Sequence, residues 1–315
     1  MYKRMLVPLD GSELAEVVFT YAKEYAGRMD LEVVLLYIST PEQSEFVPMH
    51  RAYIEHAAEI VMSQSQQVRE STGIKPKGKV VEARGVLVEG YPAEEILRYA
   101  DENAVDLILM ATHGHSGIKR WVVGSVADKV LRASNIPVLL VRAGIPDEIV
   151  YDKWPRRTIL APLDGSELAE SALPHVEALA MQRGIELVDV VLLRVCEPPA
   201  LPSYSTPELS DVPLNWGQYE QQEITRSKQV TDEYLAGVEK RFKKSKISVR
   251  SEVLVGKANE EIVNYANANP FNMIVMATHG RAGLSRWVYG SVAEYVLLGV
   301  SSPILLIRPG ESGSQ

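Results

Sequence analysis

Several residue types are scarce in this sequence. Of its 315 residues, one is cysteine, four are phenylalanine and four are tryptophan. The single cysteine, Cys196, cannot form a disulfide within the chain, so the composition gives no sign of an oxidising compartment. No stretch is apolar for long enough to span a bilayer, and the first residues predict a strand instead of a signal peptide. We therefore expect a soluble, cytoplasmic protein.

An excess of basic side chains is also missing. The formal net charge is −8 at pH 7, which argues against a broad nucleic-acid-binding face, because such a face needs clustered Lys and Arg. It leaves room for a small basic pocket that binds phosphate. The hydrophobic fraction of 46% and the charged fraction of 23% are ordinary for a globular protein. The length favours two domains of usual size.

Long matches in the same order show that the chain repeats itself. The segment LVPLDGSELAE at 6–16 recurs as LAPLDGSELAE at 160–170, and ATHG at 111–114 recurs at 277–280. The two copies also end alike, in PVLLVR and PILLIR. We predict two copies of one domain, at 1–143 and 157–310, joined by a linker at 144–156.

Within each copy, short apolar runs alternate with helical patterns. Runs such as Met5–Leu9 and Val33–Ile38 predict strands buried on both faces, and Ser125–Ala133 predicts a helix. This alternation indicates an α/β fold with a doubly wound parallel sheet. Pro174 should kink the first helix of the second copy. The extra length of that copy falls at Glu197–Gln222, where dense prolines predict a loop.

The candidate site lies where the predicted strands end. In open α/β sheets, ligands bind beyond the carboxyl ends of the strands, and the ATHG segments follow the fourth strand of each copy. After Gly114 come nine residues and then Gly124-Ser125, and after Gly280 come nine and then Gly290-Ser291. Because the serines begin helices, whose free N–H groups and dipole favour anions, this spacing suits a polyphosphate.

Other familiar motifs are missing. The sequence has neither GxxxxGK[ST] nor GxGxxG, so it matches neither the P-loop nor the dinucleotide fingerprint. The segment at 114–117 is one residue short of the G-x-S-x-G of serine hydrolases, and Ala282 replaces its serine in the second copy. His113 and His115 without acidic or Cys partners make a poor metal site. We therefore predict no catalytic residue and no metal held by side chains.

The glycine spacing, the Pro-x-Asp-Gly-Ser start and the Gly-Ser-Val-Ala helix opening resemble the universal stress protein family. Nucleotide-binding members carry glycine, two residues, glycine, nine residues and Gly-Ser or Gly-Thr, and this chain departs only at Ala111 and Ala277. The resemblance implies a tandem, ATP-binding type of chain. Each domain would be a five-stranded parallel sheet flanked by helices, Rossmann-like and similar to adenine-nucleotide α-hydrolases. ATP or AMP would be bound, with Mg²⁺ carried on the phosphates.

The resemblance also assigns positions to the nucleotide. Asp10 and Asp164 would contact the adenosine, and the residues after the glycine turns would contact phosphate. The full set of implied nucleotide-binding residues is Pro8, Asp10, Ile38, Met110, Ala111, His113, Gly114, Gly124, Ser125 and Val126 in the first copy, and Pro162, Asp164, Val195, Met276, Ala277, His279, Gly280, Gly290, Ser291 and Val292 in the second. The last strands of the two copies would meet in a pseudo-dimer within the chain.

Several alternatives stay open at this point. Asp10 and Asp164 suit a turn before a helix as well as a ligand, and His113 and His279 suit either a hydrogen bond to phosphate or a plain loop. Three functions are compatible with the sequence: a regulatory module for the stress response that binds adenine nucleotide, a slow ATPase, and a nucleotide-free interaction protein that dimerises. A homodimer of chains and the identity of a protein partner also stay open.

Overall fold

A computed structural model describes residues 2–71, 81–112, 123–142, 157–198, 216–269, 271–279 and 289–309. The first domain contains the strands β1 (Arg4–Leu9), β2 (Glu32–Ser39), β3 (Ala83–Glu89), β4 (Leu107–Ala111) and β5 (Val138–Val141). Its helices are α1 (Glu13–Glu16), α2 (Val18–Met29), α3 (Val47–Ser71), α4 (Pro92–Glu102) and α5 (Ser125–Ala133), with a 3₁₀ helix at Pro41–Phe46.

The second domain repeats this order. Its strands are β6 (Arg157–Pro162), β7 (Val188–Cys196), β8 (Ser248–Val255), β9 (Met273–Ala277) and β10 (Ile304–Ile307). Its helices are α6 (Glu167–Glu170), α7 (Leu173–Arg183), α8 (Trp216–Lys244), α9 (Ala258–Ala268) and α10 (Ser291–Gly299), with a 3₁₀ helix at Ile185–Leu187. No helix of the described ranges is both long enough and apolar enough to cross a membrane.

The described strands form one ten-stranded sheet in the order β3-β2-β1-β4-β5-β10-β9-β6-β7-β8. Pairing is parallel within each domain. The predicted five-stranded parallel sheets are therefore confirmed. Strands β5 and β10 pair antiparallel, with Leu139 opposite Leu305, so the last strands meet as the resemblance implied. Strand order reverses between β1 and β4, and again between β6 and β9, which is where such folds bind ligands.

Both faces of the sheet carry a core that continues across the domain boundary. The core on one face contains Leu139 and Leu305, and the core on the other contains Leu140 and Ile304. All four side chains are at most 2% exposed. The strand pair between the domains therefore lies in the middle of the packed structure.

Two local predictions were wrong. Pro174 does not kink a helix, because it lies in the first turn of α7, where its missing N–H costs no helical hydrogen bond. The first domain breaks its helix at the same place, between α1 and α2, without proline. The loop predicted to reach Gln222 ends earlier, since α8 already begins at Trp216. The apolar positions of α8 pack on the sheet, and all the prolines of the predicted loop precede this helix.

A buried ionic cluster ties the two domains together. The Oε2 atom of Glu24 lies 2.5 Å from Nε of Arg28, 3.3 Å from Nη2 of Arg157 and 3.8 Å from Nη1 of Arg183. Glu24 belongs to the first domain, while Arg157 and Arg183 belong to the second, and all three are buried. Removing one member of such a cluster leaves buried charge without its counterpart, which is costly.

Arginines from each domain also bind the helix ends of the other. Arg142 donates from Nη2 to the carbonyl oxygens of Leu297 (2.8 Å) and Leu298, at the end of α10. Arg308 donates from Nη1 to the carbonyl oxygen of Arg132, 3.2 Å away, at the end of α5. These carbonyls have no partner within their own helix, and the helix dipole favours a cation there.

We predict that Glu24→Gln lowers the free energy of unfolding by about 3–5 kcal/mol, because it removes a buried negative charge that lies beside the buried guanidinium groups of Arg157 and Arg183. Urea denaturation followed by circular dichroism measures this change. Glu55→Gln, at an exposed position on α3, is the matched control and should change stability by less than about 0.5 kcal/mol. Equal effects of the two substitutions would contradict a stabilising role for the cluster.

Candidate functional site

Each domain has a cavity at its strand-order reversal. The first-domain cavity is about 300 Å³, and the second-domain cavity is about 450 Å³. All the described residues that were predicted to bind nucleotide line these cavities: Pro8, Asp10, Ile38, Met110, Ala111, Gly124, Ser125 and Val126 in the first, and Pro162, Asp164, Val195, Met276, Ala277, His279, Gly290, Ser291 and Val292 in the second. His113, Gly114 and Gly280 lie outside the described residues.

The turn after β1 holds Asp10 in place. Its Oδ1 atom accepts hydrogen bonds from the backbone N–H of Ser12 (3.0 Å) and from the Ser12 hydroxyl (2.6 Å). Ser12 Oγ in turn accepts the N–H of Ala15 at 3.2 Å and caps α1. The intervening Gly11 has φ +77°, a conformation that favours glycine. Asp10 therefore stabilises the turn and also borders the cavity.

The second domain repeats this turn. Asp164 Oδ1 accepts the N–H (2.9 Å) and the hydroxyl (2.6 Å) of Ser166, and Ser166 Oγ accepts the N–H of Ala169 at 3.1 Å. Both aspartates are thus fixed by the fold before any ligand binds. A carboxylate held this way at a cavity wall suits a hydroxyl donor such as a ribose.

The opposite wall of each cavity is the beginning of a helix. The N–H of Gly124 donates to the carbonyl oxygen of Thr112 at 2.7 Å, and the N–H of Gly290 donates to that of Thr278 at 2.7 Å. These bonds close the loop between the fourth strand and the helix. Ser125 and Ser291 then occupy the first helical positions. The first backbone N–H groups of α5 and α10 have no partner within the helix, so each cavity is bordered by an anion-binding helix end.

The alanines at the first motif position cause no backbone strain. Ala111 and Ala277 are the last residues of β4 and β9. Among the described residues, the non-glycine positions with positive φ are Asp30, Ala104 and Lys246, so neither alanine is one of them. The backbone there does not require glycine. His279, which follows shortly after, contacts Thr278 through Nδ1 at 3.0 Å from Oγ1.

The two cavities differ beside the aspartate turn. In the first domain, Tyr37 stacks on His50 with ring centroids 4.3 Å apart, and Tyr53 packs edge-on against Tyr37 at 6.0 Å. Burial raises the pKa of Tyr37, with a further contribution from the Asp10 charge, and burial lowers the pKa of His50. At neutral pH this group of rings is therefore uncharged.

In the second domain, the guanidinium of Arg194 lies over the ring of Tyr234, with Cζ 4.8 Å from the centroid. Arg194 lines the cavity, together with Cys196 and with Ser227 and Thr231 of α8. None of these four was predicted from the sequence. The end of β7 could have pointed to Arg194 and Cys196, but no motif relates Ser227 and Thr231 to the strand, because a stretch of different length in each copy precedes α8.

Neither described cavity has the ligands of a metal site. No group of three or more His, Cys, Asp or Glu side chains in the described ranges is arranged to hold a metal ion. What both cavities offer is a fixed carboxylate on one wall, backbone N–H groups on the other, and apolar side chains such as Ile38 and Met110 between them.

The chain is similar to known proteins over nearly its whole length. The sequence model of the universal stress protein family matches residues 1–142 and 155–308. Universal stress protein MJ0531 of Methanocaldococcus jannaschii is 31% identical over 147 residues, which cover 45% of this chain and 83% of that protein. A universal stress protein of Mycolicibacterium smegmatis is 24% identical over 97% of both chains. A universal stress protein from Archaeoglobus fulgidus has the same fold, with a TM-score of 0.63, 21% identity and 98% coverage of both chains. The chain belongs to the universal stress protein family, and it carries two tandem copies of the family's domain.

Proposed function

We propose that each domain of this universal stress protein binds one adenine nucleotide, ATP or AMP, and that the chain acts as a regulator of the stress response. The proposal rests on one observation above all: the cavity of each domain lies between a fixed aspartate and the beginning of a helix. The aspartate matches a ribose, whose hydroxyls donate hydrogen bonds, and the helix end matches phosphate.

The size and lining of the cavities support the proposal. Volumes of about 300 and 450 Å³ fall within the usual range of small-molecule sites, about 300–1,000 Å³. Apolar residues of β4 and β9, such as Met110 and Met276, supply a surface for the flat base. Ile38 and Val195, at the ends of β2 and β7, border the same region. A site that is present in both copies favours binding over the nucleotide-free interaction protein.

The phosphates would lie at the first turns of α5 and α10. The backbone is tightly packed just before α10, where a Cβ atom at Gly290 would stand 3.3 Å from the Thr278 carbonyl oxygen. If ATP is bound, its phosphates would carry Mg²⁺, because that ion usually takes its oxygen ligands from water and substrate phosphates and only a few from the protein. The protein itself contributes hydrogen bonds and the field of the helix end.

The first test is to denature freshly purified protein, without added nucleotide, and to identify the released small molecules by chromatography and mass spectrometry. We expect close to two adenine nucleotides per chain, one from each cavity. Conversion of the bound ATP to ADP or AMP during incubation would indicate slow hydrolysis. If nothing is released and added ATP does not raise the melting temperature, the chain does not bind nucleotide and the proposal fails.

The second test places a negative charge where phosphate should bind. In Ser125→Asp or Ser291→Asp, a carboxylate at the first helical position repels phosphate but suits the helix dipole, so the protein should stay folded and lose one equivalent of nucleotide. Ser125→Asn and Ser291→Asn are neutral controls of the same size and should keep both equivalents. Nucleotide content after gel filtration and the melting temperature are the measurements. Full occupancy in the double aspartate variant would contradict phosphate binding at these helix ends.

A further inference from the structure

The second-domain cavity extends into a region that side chains fill in the first domain. Tyr37 and Arg194 occupy equivalent positions, each next to the residue that borders its cavity at the end of the second strand of its domain. Tyr37 closes its side by stacking on His50. Arg194 instead leaves space that reaches Ser227 and Thr231 on α8. The second-domain cavity is the larger of the two, at about 450 Å³ against about 300 Å³.

Arg194 is held beside the aspartate turn. A Cβ atom at Gly165 would lie 2.8 Å from Nη1 and 2.9 Å from Cζ of Arg194, so the guanidinium packs directly on this glycine, next to Asp164. The ring of Tyr234 supports the guanidinium from another side, and its hydroxyl donates to Glu170 at 2.9 Å. A guanidinium packed in this way has lost much of its freedom before a ligand arrives, which favours binding.

The neighbouring carboxylates are engaged in other hydrogen bonds. Asp164 Oδ1 accepts two hydrogen bonds from Ser166. Glu170 accepts the hydroxyl of Tyr234, and Glu197 Oε1 accepts the N–H of Ala258 at 3.3 Å, at the beginning of α9. Among the described residues, no salt bridge joins Arg194 to any of these three carboxylates.

Hydroxyl groups complete this side of the second-domain cavity. Ser227 and Thr231 are one helical turn apart on α8, so they face the same way, and both line the cavity. Thr231 Oγ1 lies 3.2 Å from the sulfur of Cys196. A guanidinium and hydroxyl donors together form a surface that suits phosphate oxygens. The described residues that line the first-domain cavity include neither lysine nor arginine.

We propose that Arg194, with Ser227 and Thr231, forms a subsite in the second domain for a phosphate group on the ribose of an adenine nucleotide. This inference rests on the proposed function, which puts the ribose beside Asp164. A carboxylate next to a ribose binds its hydroxyls, and an arginine in the same place accommodates a phosphate on one of them, as in dinucleotide-binding folds. The first domain, with Tyr37, takes nucleotides whose ribose hydroxyls are free.

The test is competition against labelled ATP on the full chain, with AMP, adenosine 2′,5′-bisphosphate and adenosine 3′,5′-bisphosphate as unlabelled ligands. We expect one of the two bisphosphates to displace half of the bound label, the half in the second domain, at about a tenfold lower concentration than AMP does. The reason is that its additional phosphate gains a charge-assisted hydrogen bond. Arg194→Tyr, which installs the residue of the first domain, should abolish this preference, so that each bisphosphate competes no better than AMP does on the same variant. Arg226→Tyr removes the same charge from an exposed position on α8 and should keep the preference.

The outcomes separate the two proposals. If labelled ATP binds but both bisphosphates compete no better than AMP, the subsite is wrong and the nucleotide-binding function stands. A preference that persists in Arg194→Tyr also overturns the subsite. If labelled ATP does not bind at all, the proposed function fails and this inference fails with it. Tyr37→Arg places an arginine at the equivalent position of the first domain. If the bisphosphate then also displaces the remaining label more readily than AMP does, the result supports the assignment of the subsite to this position.

Discussion

The antiparallel pairing of β5 and β10 is the contact on which the rest of the structure depends. In a separate domain, β5 would be an edge strand with a row of unpaired backbone groups, and such edges favour aggregation. Pairing the two edges satisfies those groups within one chain and joins the cores on both faces of the sheet. The Glu24 cluster can be buried only because the domains are held together in this way.

The same junction explains how the helices at the two sites are supported. Each begins at its own cavity and ends at an arginine of the other domain: α5 at Arg308 and α10 at Arg142. Tyr289, which precedes α10, also donates a hydrogen bond to Asp128 of α5, and Arg132 lies over the Tyr289 ring at 4.4 Å. Hydrogen bonds from Arg132 and Tyr289 outweigh the effect of burial and lower the pKa of Asp128. Contacts with the other domain thus hold α5 and α10 in place, and with them the helix beginnings that border the cavities.

The sequence was enough to predict the repeated domain and the features that depend on residues close together in the chain. Two matching segments gave the domain order, and the spacing from Gly280 to Ser291 led to the helix end at the cavity. The positions of Arg194 and Thr231 were not predictable, because a strand and a helix meet there after a stretch whose length differs between copies. The burial of Glu24 could not be foreseen either, since Arg157 lies far along the chain and only the assembled sheet brings the two together. The boundaries of the linker at 144–156 stay a prediction.

The antiparallel junction also sets the directions in which the cavities open. Within each domain the cavity lies at the carboxyl ends of parallel strands, and the two sets of strands run in opposite directions across β5 and β10. The mouths therefore point to opposite ends of the sheet. A ligand that enters one cavity does not obstruct the entrance to the other.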